Sequence, residues 1–456
     1  MLQITNPANG AVIAELPQDT PESVIAKYRA ARAAQPGWAA TPLARRLAAI
    51  RRFREFVVND LERLAAILTS EVGKPIRQSR NELNGLLPRL DFFLAQAEAA
   101  LAPREVLNDA GMREQITHEP LGVVANISAW NYPYFVGSNV FVPALLAGNS
   151  VLYKPSEYAT LSGRHLARLL HAAGVPQDVF SVLVGGGRVG IELLKEPVDG
   201  VFFTGSYATG QRIAQAMAPR LAKVQLELGG KDPTYVCEDV DIAAAAASLA
   251  DGAMYNTGQS CCSVERIYVH ASVFDAFVAA FVKEVRGFKV GDPTLEDSYI
   301  GPLTRSQQGK LLQMQVADAV AKGATTLTGG RPLDRPGGHW FAPTVLVNVN
   351  HEMAVMREES FGPIIGIQAV AGDEEAVRLM NDTEYGLTAG VYTRDEARAR
   401  GILARVNAGS VYWNCCDRVS PRLPWSGVKH SGIGLTLSTE GITAFTRPKA
   451  WHLRGA

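Results

Sequence analysis

Two side chains in this sequence are placed for chemistry, a cysteine in a polar turn and a glutamate in an apolar strand. Tyr255-Asn256-Thr257-Gly258-Gln259-Ser260-Cys261-Cys262 is a glycine-containing turn that follows an alanine-rich helical run. A thiol in such a turn can face solvent amid backbone N–H groups, which lower its pKa and stabilise an adjacent oxyanion. Taken alone, the turn accommodates an inert buried cysteine equally well. Upstream, Val224-Gln225-Leu226-Glu227-Leu228-Gly229-Gly230-Lys231 sets one carboxylate among apolar residues directly before two glycines. A buried carboxylate costs free energy unless it is neutralised or paired. Glu227 therefore either makes an ion pair with Lys231 or a helix-end contact, or serves as a general base with a raised pKa. The five cysteines, Cys237, Cys261, Cys262, Cys415 and Cys416, include two adjacent pairs. They match neither a disulfide framework nor a zinc-ligand spacing, so no metal is expected.

The elements that must bring these groups together fall into two series. Short apolar runs at 122–129, 150–153, 180–184 and 200–204 alternate with helical stretches at 136–147, 159–173, 188–195 and 207–218. That alternation predicts a parallel α/β sheet. A second series begins at 234–236, continues through helices around 241–256, 271–286 and 304–322, and passes a strand at 364–370 to end near 415. Residues 22–36 and 42–72 carry helical apolar spacing, with Thr41-Pro42 as a cap followed by proline at the first helical position. Two strand-like segments, 104–119 and 442–453, fit neither series. Each alone leaves an unpaired edge, and together they can form a small sheet that pairs across subunits.

Composition bounds the rest. With 456 residues, 47% hydrophobic and 20% charged, the chain suits two or three packed domains. Lysine plus arginine equals aspartate plus glutamate at 45 each, so no net field favours nucleic acid or an acidic membrane surface. The opening Met1-Leu2-Gln3-Ile4-Thr5 lacks the basic and apolar regions of a leader, and no apolar run approaches the ~20 residues of a membrane span. A cytoplasmic protein is expected.

Further motifs lie in a recognisable order. They are Ala129-Trp130-Asn131-Tyr132-Pro133, Lys154-Pro155-Ser156-Glu157, Phe203-Thr204-Gly205-Ser206, Glu358-Glu359-Ser360-Phe361-Gly362-Pro363 and Leu423-Pro424-Trp425-Ser426-Gly427. With Leu226-Glu227-Leu228-Gly229-Gly230-Lys231 and a Gly-Gln-x-Cys turn whose Cys261 stands 34 residues after Glu227, the sequence resembles the hydrolytic branch of the aldehyde dehydrogenase superfamily over nearly its whole length. The resemblance implies an α/β fold with two Rossmann-like parallel-sheet domains and a small oligomerisation sheet. It assigns 1–103 and 121–228 to NAD binding, 229–435 to catalysis, and 104–120 and 436–456 to oligomerisation in a homodimer or homotetramer. It also implies that Cys261 attacks an aldehyde carbon, and that the Asn131 amide and the Cys261 N–H hold the oxyanion. Hydride then passes to the nicotinamide, and Glu227 activates the water that hydrolyses the thioester.

The same resemblance supplies the cofactor contacts. Thr204, Gly205, Ser206 and Gly210, where a strand enters a helix, face the pyrophosphate. Gly185-Gly186-Gly187 is the alternative phosphate loop, with poor spacing. Lys154, Ser156 and Glu157 meet the adenosine ribose, Glu359 and Phe361 the nicotinamide ribose and ring, and Trp130 and Leu228 complete the site. Glu157 accepts hydrogen bonds from free ribose hydroxyls and repels a 2′-phosphate, so NAD is expected, with NADP possible but weaker.

Departures from the family bear on substrate. Semialdehyde-oxidising relatives use an arginine at the place of Asn139 to hold a distal carboxylate, which Asn139 cannot do. Tyr132, Tyr134, Phe135 and Trp425 suggest an apolar tunnel for medium aliphatic or aromatic aldehydes, with succinic semialdehyde the alternative. Arg418 and Arg422 either bind an anionic tail or pair with surface acids. Thr439 stands where many relatives carry a second acid, with Glu440 one place later, which makes a proton relay through Glu440 doubtful. Two rival readings remain: an enzyme that passes the thioester to CoA, whose known forms generally lack the residue at Glu227, and a protein that kept the fold without activity.

Overall fold

The computed structural model describes residues 1–109 and 111–454. Ala110, within the segment expected at 104–120, and Gly455 and Ala456, at the end of that expected at 436–456, lie outside the described residues. Every residue of strands Val123–Ile127 and Ser150–Lys154 is buried, as befits strands covered on both faces. They pair in parallel and, with Phe180–Val182, Gly200–Thr204 and Lys223–Glu227, build the first sheet. A sixth short strand, Gly432–Ile433, adds antiparallel to its edge and sets Gly432 opposite Glu227. The chain lays down Val123–Ile127, adds two strands on one side, and returns to the other side with Gly200–Thr204. Strand order thus reverses between those two, and the crevice beyond their carboxyl ends is where such sheets bind ligands.

Four residues, 228–231, connect the end of strand Lys223–Glu227 to Asp232–Val236, which begins the second sheet. That sheet has seven strands, in the order Thr325–Thr328, Thr344–Val347, Ile364–Val370, Val264–His270, Asp232–Val236, Thr388–Tyr392 and Ser410–Trp413. Only the outermost pair, at Thr325–Thr328, is antiparallel. The two expected α/β series are both present as parallel sheets.

The segments that fitted neither series meet in one antiparallel sheet, with Arg104–Asp109 and Thr446–Arg454 on either side of Met112–Pro120. Within 436–456, Ser438–Thr443 is instead a short helix, and Leu437, Ile442 and Phe445 are buried in the core that also holds Leu86, Leu90 and Phe93. Three helical details differ from the sequence expectation. The stretch 42–72 is two helices, Leu43–Asn59 and Leu61–Val72, because Asp60 leaves helical geometry at φ −103° and ψ 12°. Pro42 is the cap residue itself rather than the first helical one. A 26-residue helix, Ile76–Leu101, went unpredicted, and it packs against Pro133–Leu146 to wall the site. No helix among the described residues is long and apolar enough to cross a membrane.

Candidate active site

The helix Ile242–Met254 starts where the Asp241 side chain accepts from Ala244 N at 3.0 Å, and it ends in a left-handed turn. Asn256, Thr257 and Gly258 have φ of 54°, 60° and 68°. For the two non-glycine residues this costs about 1–3 kcal/mol each, so the surroundings must hold them there. Asn256 N donates to Gln78 Oε1 at 2.9 Å, and Asn256 Nδ2 donates to the Gln259 carbonyl at 3.0 Å. Gly301 N donates to Thr257 Oγ1 at 3.0 Å. Gly258 must be glycine on two counts, since a Cβ there would also lie 2.3 Å from the Gly362 carbonyl oxygen. The turn leaves Cys261 half-buried while Cys262 is buried, its thiol donating to Asp417 Oδ1 at 3.0 Å. Asn131 is buried beside the turn, and its amide donates to the Gln259 carbonyl at 3.2 Å. A second N–H on that amide is left over.

Glu227 ends its strand and is buried. Burial pushes its carboxyl up to about 7, against hydrogen bonds from Thr436 and Gln225 and the charge of Arg89, all of which pull it down. Gln225 Nε2 donates to Oε1 at 3.1 Å, and the Thr436 hydroxyl donates to the same oxygen. Lys231 is not its partner. That ammonium lies 2.6 Å from Glu265 Oε2 and donates to Ser360 Oγ at 3.0 Å. Glu265 in turn accepts from Ser360 N at 2.8 Å and Phe361 N at 2.9 Å, which pins the turn carrying Glu359 and Phe361. Glu359 Oε1 accepts from Gly230 N at 3.1 Å. Desolvation and the nearby Glu265 charge push its carboxyl up to about 8.

A cavity of about 880 Å³ opens at the crevice of the first sheet. Ten of the eleven residues expected to hold a cofactor line it: Trp130, Lys154, Ser156, Glu157, Thr204, Gly205, Ser206, Leu228, Glu359 and Phe361. The eleventh, Gly210, lies behind the wall, where a Cβ would meet Leu228 Cδ2 at 2.6 Å. Of the run Gly185-Gly186-Gly187, only Gly187 borders the space. Lys154 is buried, its Nζ 4.0 Å from Glu157 Oε2, and burial lowers its pKa. Ser206 caps the helix Tyr207–Met217 without a side-chain bond to it, so the first-turn N–H groups keep no such partner. Trp130 stands edge-on to Phe361, with ring centroids 5.5 Å apart.

A second cavity of about 890 Å³ lies on the other side of the thiol, and Cys261 and Glu227 are the two residues that line both. Tyr132, Phe135 and Trp425 form part of its wall as expected, Tyr132 and Phe135 stacked at 5.8 Å. Tyr134 does not: it is buried in the core, its hydroxyl donating to the Leu64 carbonyl at 2.8 Å. Lys74 stands 3.6 Å from the Tyr132 ring centroid and forms a buried ion pair with Glu82, which borders the cavity. Asn139 lines the cavity, as does Arg418, whereas Arg422 is exposed and outside the lining. Glu440 is exposed and accepts from Ser438 Oγ at 2.6 Å, and the group that reaches Glu227 from this part of the chain is Thr436. Sequence reasoning missed Arg89, Gln225, Glu265 and Thr436. Only Gln225, two residues before Glu227 on the same face of one strand, carried a local signal.

The family profile described as Aldehyde dehydrogenase family matches residues 1–451. A Streptomyces coelicolor protein named 3,6-anhydro-alpha-L-galactose dehydrogenase is 38% identical over 460 residues, which span 100% of this chain and 93% of that protein. A Mycolicibacterium smegmatis protein, provisionally named a succinate-semialdehyde dehydrogenase of NADP(+), is 37% identical over 445 residues, 96% of this chain and 86% of its own. The crystal structure of PnpE in complex with nicotinamide adenine dinucleotide superposes at a TM-score of 0.96 with 32% identity, covering 99% of this chain and 94% of that one.

Proposed function

The chain belongs to the aldehyde dehydrogenase family, and from that premise we propose that it oxidises an aldehyde to a carboxylic acid with NAD, through a thioester on Cys261. The observation that carries this reading is the pair of cavities that have only Cys261 and Glu227 in common. A nucleophile and a base between two chambers suit a reaction in which one chamber brings the carbonyl and the other takes the hydride.

The Cys261 thiolate attacks the carbonyl carbon, and the developing oxyanion takes the spare N–H of Asn131 and the backbone N–H of Cys261. The first cavity fits a dinucleotide: its lining runs from Glu157 to Cys261, and Gly229 leaves room for the Glu359 carboxylate in its wall, since a Cβ there would fall 2.2 Å from Glu359 Oε1. Lys154, Ser156 and Glu157 would hold the adenosine ribose, Thr204, Gly205 and Ser206 the pyrophosphate, Glu359 and Phe361 the nicotinamide end, and Trp130 and Leu228 the remaining walls. Bound there, NAD would supply the acceptor for the hydride that leaves the adduct carbon on Cys261. Glu227 then takes a proton from water as its oxygen attacks the thioester carbon, the C–S bond breaks, and the Cys261 thiolate is regained. A carboxyl held near 7 is matched to that task at neutral pH. Glu157 disfavours a 2′-phosphate while Lys154 offsets part of the repulsion, so NADP serves less well.

The stacked Tyr132 and Phe135, with Trp425, support medium aliphatic or aromatic substrates. The chain is further proposed to form a homodimer or homotetramer through its three-stranded sheet, whose Val106, Leu107 and Trp451 are exposed apolar residues. Light scattering on a sizing column reads that number directly. Incubation with NAD and a simple aldehyde tests the reaction. NADH and free acid without CoA support it, NADH only with CoA reassigns the second half-reaction, and no NADH across a range of aldehydes refutes it.

A further inference from the structure

Arg89 is the buried cation of the second cavity, and beyond the pull of its charge on the Glu227 carboxyl the reaction above gives it no task. It stands on the helix Ile76–Leu101, 4% exposed, with its guanidinium carbon 4.0 Å from the Phe135 ring centroid. Nη1 donates to Asn139 Oδ1 at 3.0 Å, and Nη2 donates to the Val419 carbonyl at 3.3 Å. Both partners are neutral, and Arg89 makes no ion pair among the described residues. A guanidinium has five N–H donors in a fork that matches a carboxylate, and a buried charge is costly while uncompensated. Two of those donors are engaged here.

The acids around the same cavity are occupied. Glu82 pairs with Lys74, Glu296 with Arg80 at 2.6 Å, and Asp297 with Lys289, while Asp251 accepts the Tyr299 hydroxyl. Asp417 takes the Cys262 thiol, and its carboxyl is pushed up to about 6 by burial. Burial pulls Arg89 down to about 10, opposed by the charges of Cys262, Glu82, Glu227 and Cys261, so it stays charged at neutral pH and within electrostatic reach of the reacting groups. An anion entering this chamber therefore finds one strong, desolvated, unpaired donor near the nucleophile. Asn139 cannot supply a charge itself, yet its amide oxygen anchors a guanidinium that comes from a different helix.

We propose that Arg89 binds a distal carboxylate on the substrate, so that the preferred class is an aldehyde bearing a carboxylate a few carbons from its carbonyl, seated between Arg89 and Cys261. This inference rests on the proposed reaction and narrows its substrates from aliphatic or aromatic aldehydes in general to carboxylate-bearing ones. The aromatic wall of Tyr132 and Phe135 then packs on the short carbon chain between the two ends.

The experiment compares succinic semialdehyde with its methyl ester, matched in shape and differing in charge, with NAD as oxidant. The parent is expected to favour the acid roughly 10- to 100-fold in kcat/KM, carried by KM, as suits hydrogen bonds to a charged group. In Arg89→Gln the ratio of the two falls toward one, and Arg89→Lys restores part of it. Succinate competes with aldehyde in the parent and succinamide does not, a measurement that holds even where the variants fold poorly. An ester oxidised as well as the acid, with succinate inert, overturns this inference while leaving the reaction intact. A preference unchanged in Arg89→Gln overturns it equally. No NADH from either of these two with NADH from other aldehydes overturns this inference alone, and no NADH from any of a range of aldehydes overturns the proposed function and this inference with it.

Discussion

Thr436 and Glu227 meet across 209 residues of chain, the threonine hydroxyl donating to the carboxylate oxygen that Gln225 also holds at 3.1 Å. The Glu227 carboxylate is thus gripped from its own strand and from a segment near the end of the chain, in a site where burial pushes the carboxyl upward. Hydrogen bonds to the ionised form pull the other way.

The first consequence is a pH limb. A carboxyl raised to about 7 is protonated and inactive as a base below that pH, so kcat should fall as pH drops through 7 when thioester hydrolysis limits turnover. Glu227→Gln should remove the limb and lower steady-state kcat by roughly 10²–10⁴-fold, leaving a burst of NADH close to one equivalent of enzyme. Rapid-quench or stopped-flow absorbance reads both. Slow formation with no burst would mean that Glu227 serves thiol activation instead.

Thr436→Val removes one of the donors that favour the ionised carboxylate, so the same limb should move to higher pH. At pH 7 kcat falls severalfold while KM for aldehyde holds. A profile that coincides with the parent's contradicts a positioning role for Thr436.

Glu265→Gln leaves Lys231 buried without its counter-charge, and breaking a buried pair in this way costs about 3–5 kcal/mol. The turn carrying Glu359 and Phe361 also loses its anchor, so KM for NAD should rise along with the loss of stability. Denaturant midpoints and cofactor kinetics check the two halves. The double variant Lys231→Met, Glu265→Gln should recover much of the stability and little of the cofactor affinity.

The proposed preference for NAD rests on Glu157, which lines the first cavity 4.0 Å from Lys154. Replacing it with alanine should shift kcat/KM toward NADP, mostly through KM. A parent that already prefers NADP, or a variant whose ratio does not move, counts against this placement.

Cys261, Glu227 and Asn131 stand out in the sequence because each sits in a short contiguous motif whose local chemistry is unusual, and the fold brings the three together. Arg89, Glu265 and Thr436 do not, since what distinguishes them is burial and partners far away in the chain. Arg89 lies in the same helix as Arg77 and Arg80, the former exposed and the latter paired with Glu62 and Glu296, and nothing local sets it apart. That helix itself escaped notice because Gly85 and Pro88 interrupt its pattern. Gly85 has a packing reason, since a Cβ there would come within 2.8 Å of the Phe135 ring. The alternation of buried strands and helices, by contrast, survives in the sequence wherever both faces of a sheet are covered. The small sheet left a weaker trace, two strand-like segments with no partner in either series, and only the fold joins them.

The central claim is that the acyl group rests on Cys261 and on no other cysteine. Glu227→Gln, mixed with aldehyde and NAD, quenched in acid after the burst and digested, can be read by tandem mass spectrometry through the adjacent pair Cys261-Cys262. The predicted result is a stoichiometric mass increase equal to the acyl group, located on Cys261, with Cys262 unmodified. An adduct on Cys262, whose thiol is buried against Asp417, or NADH production with no acylated cysteine, would contradict the account.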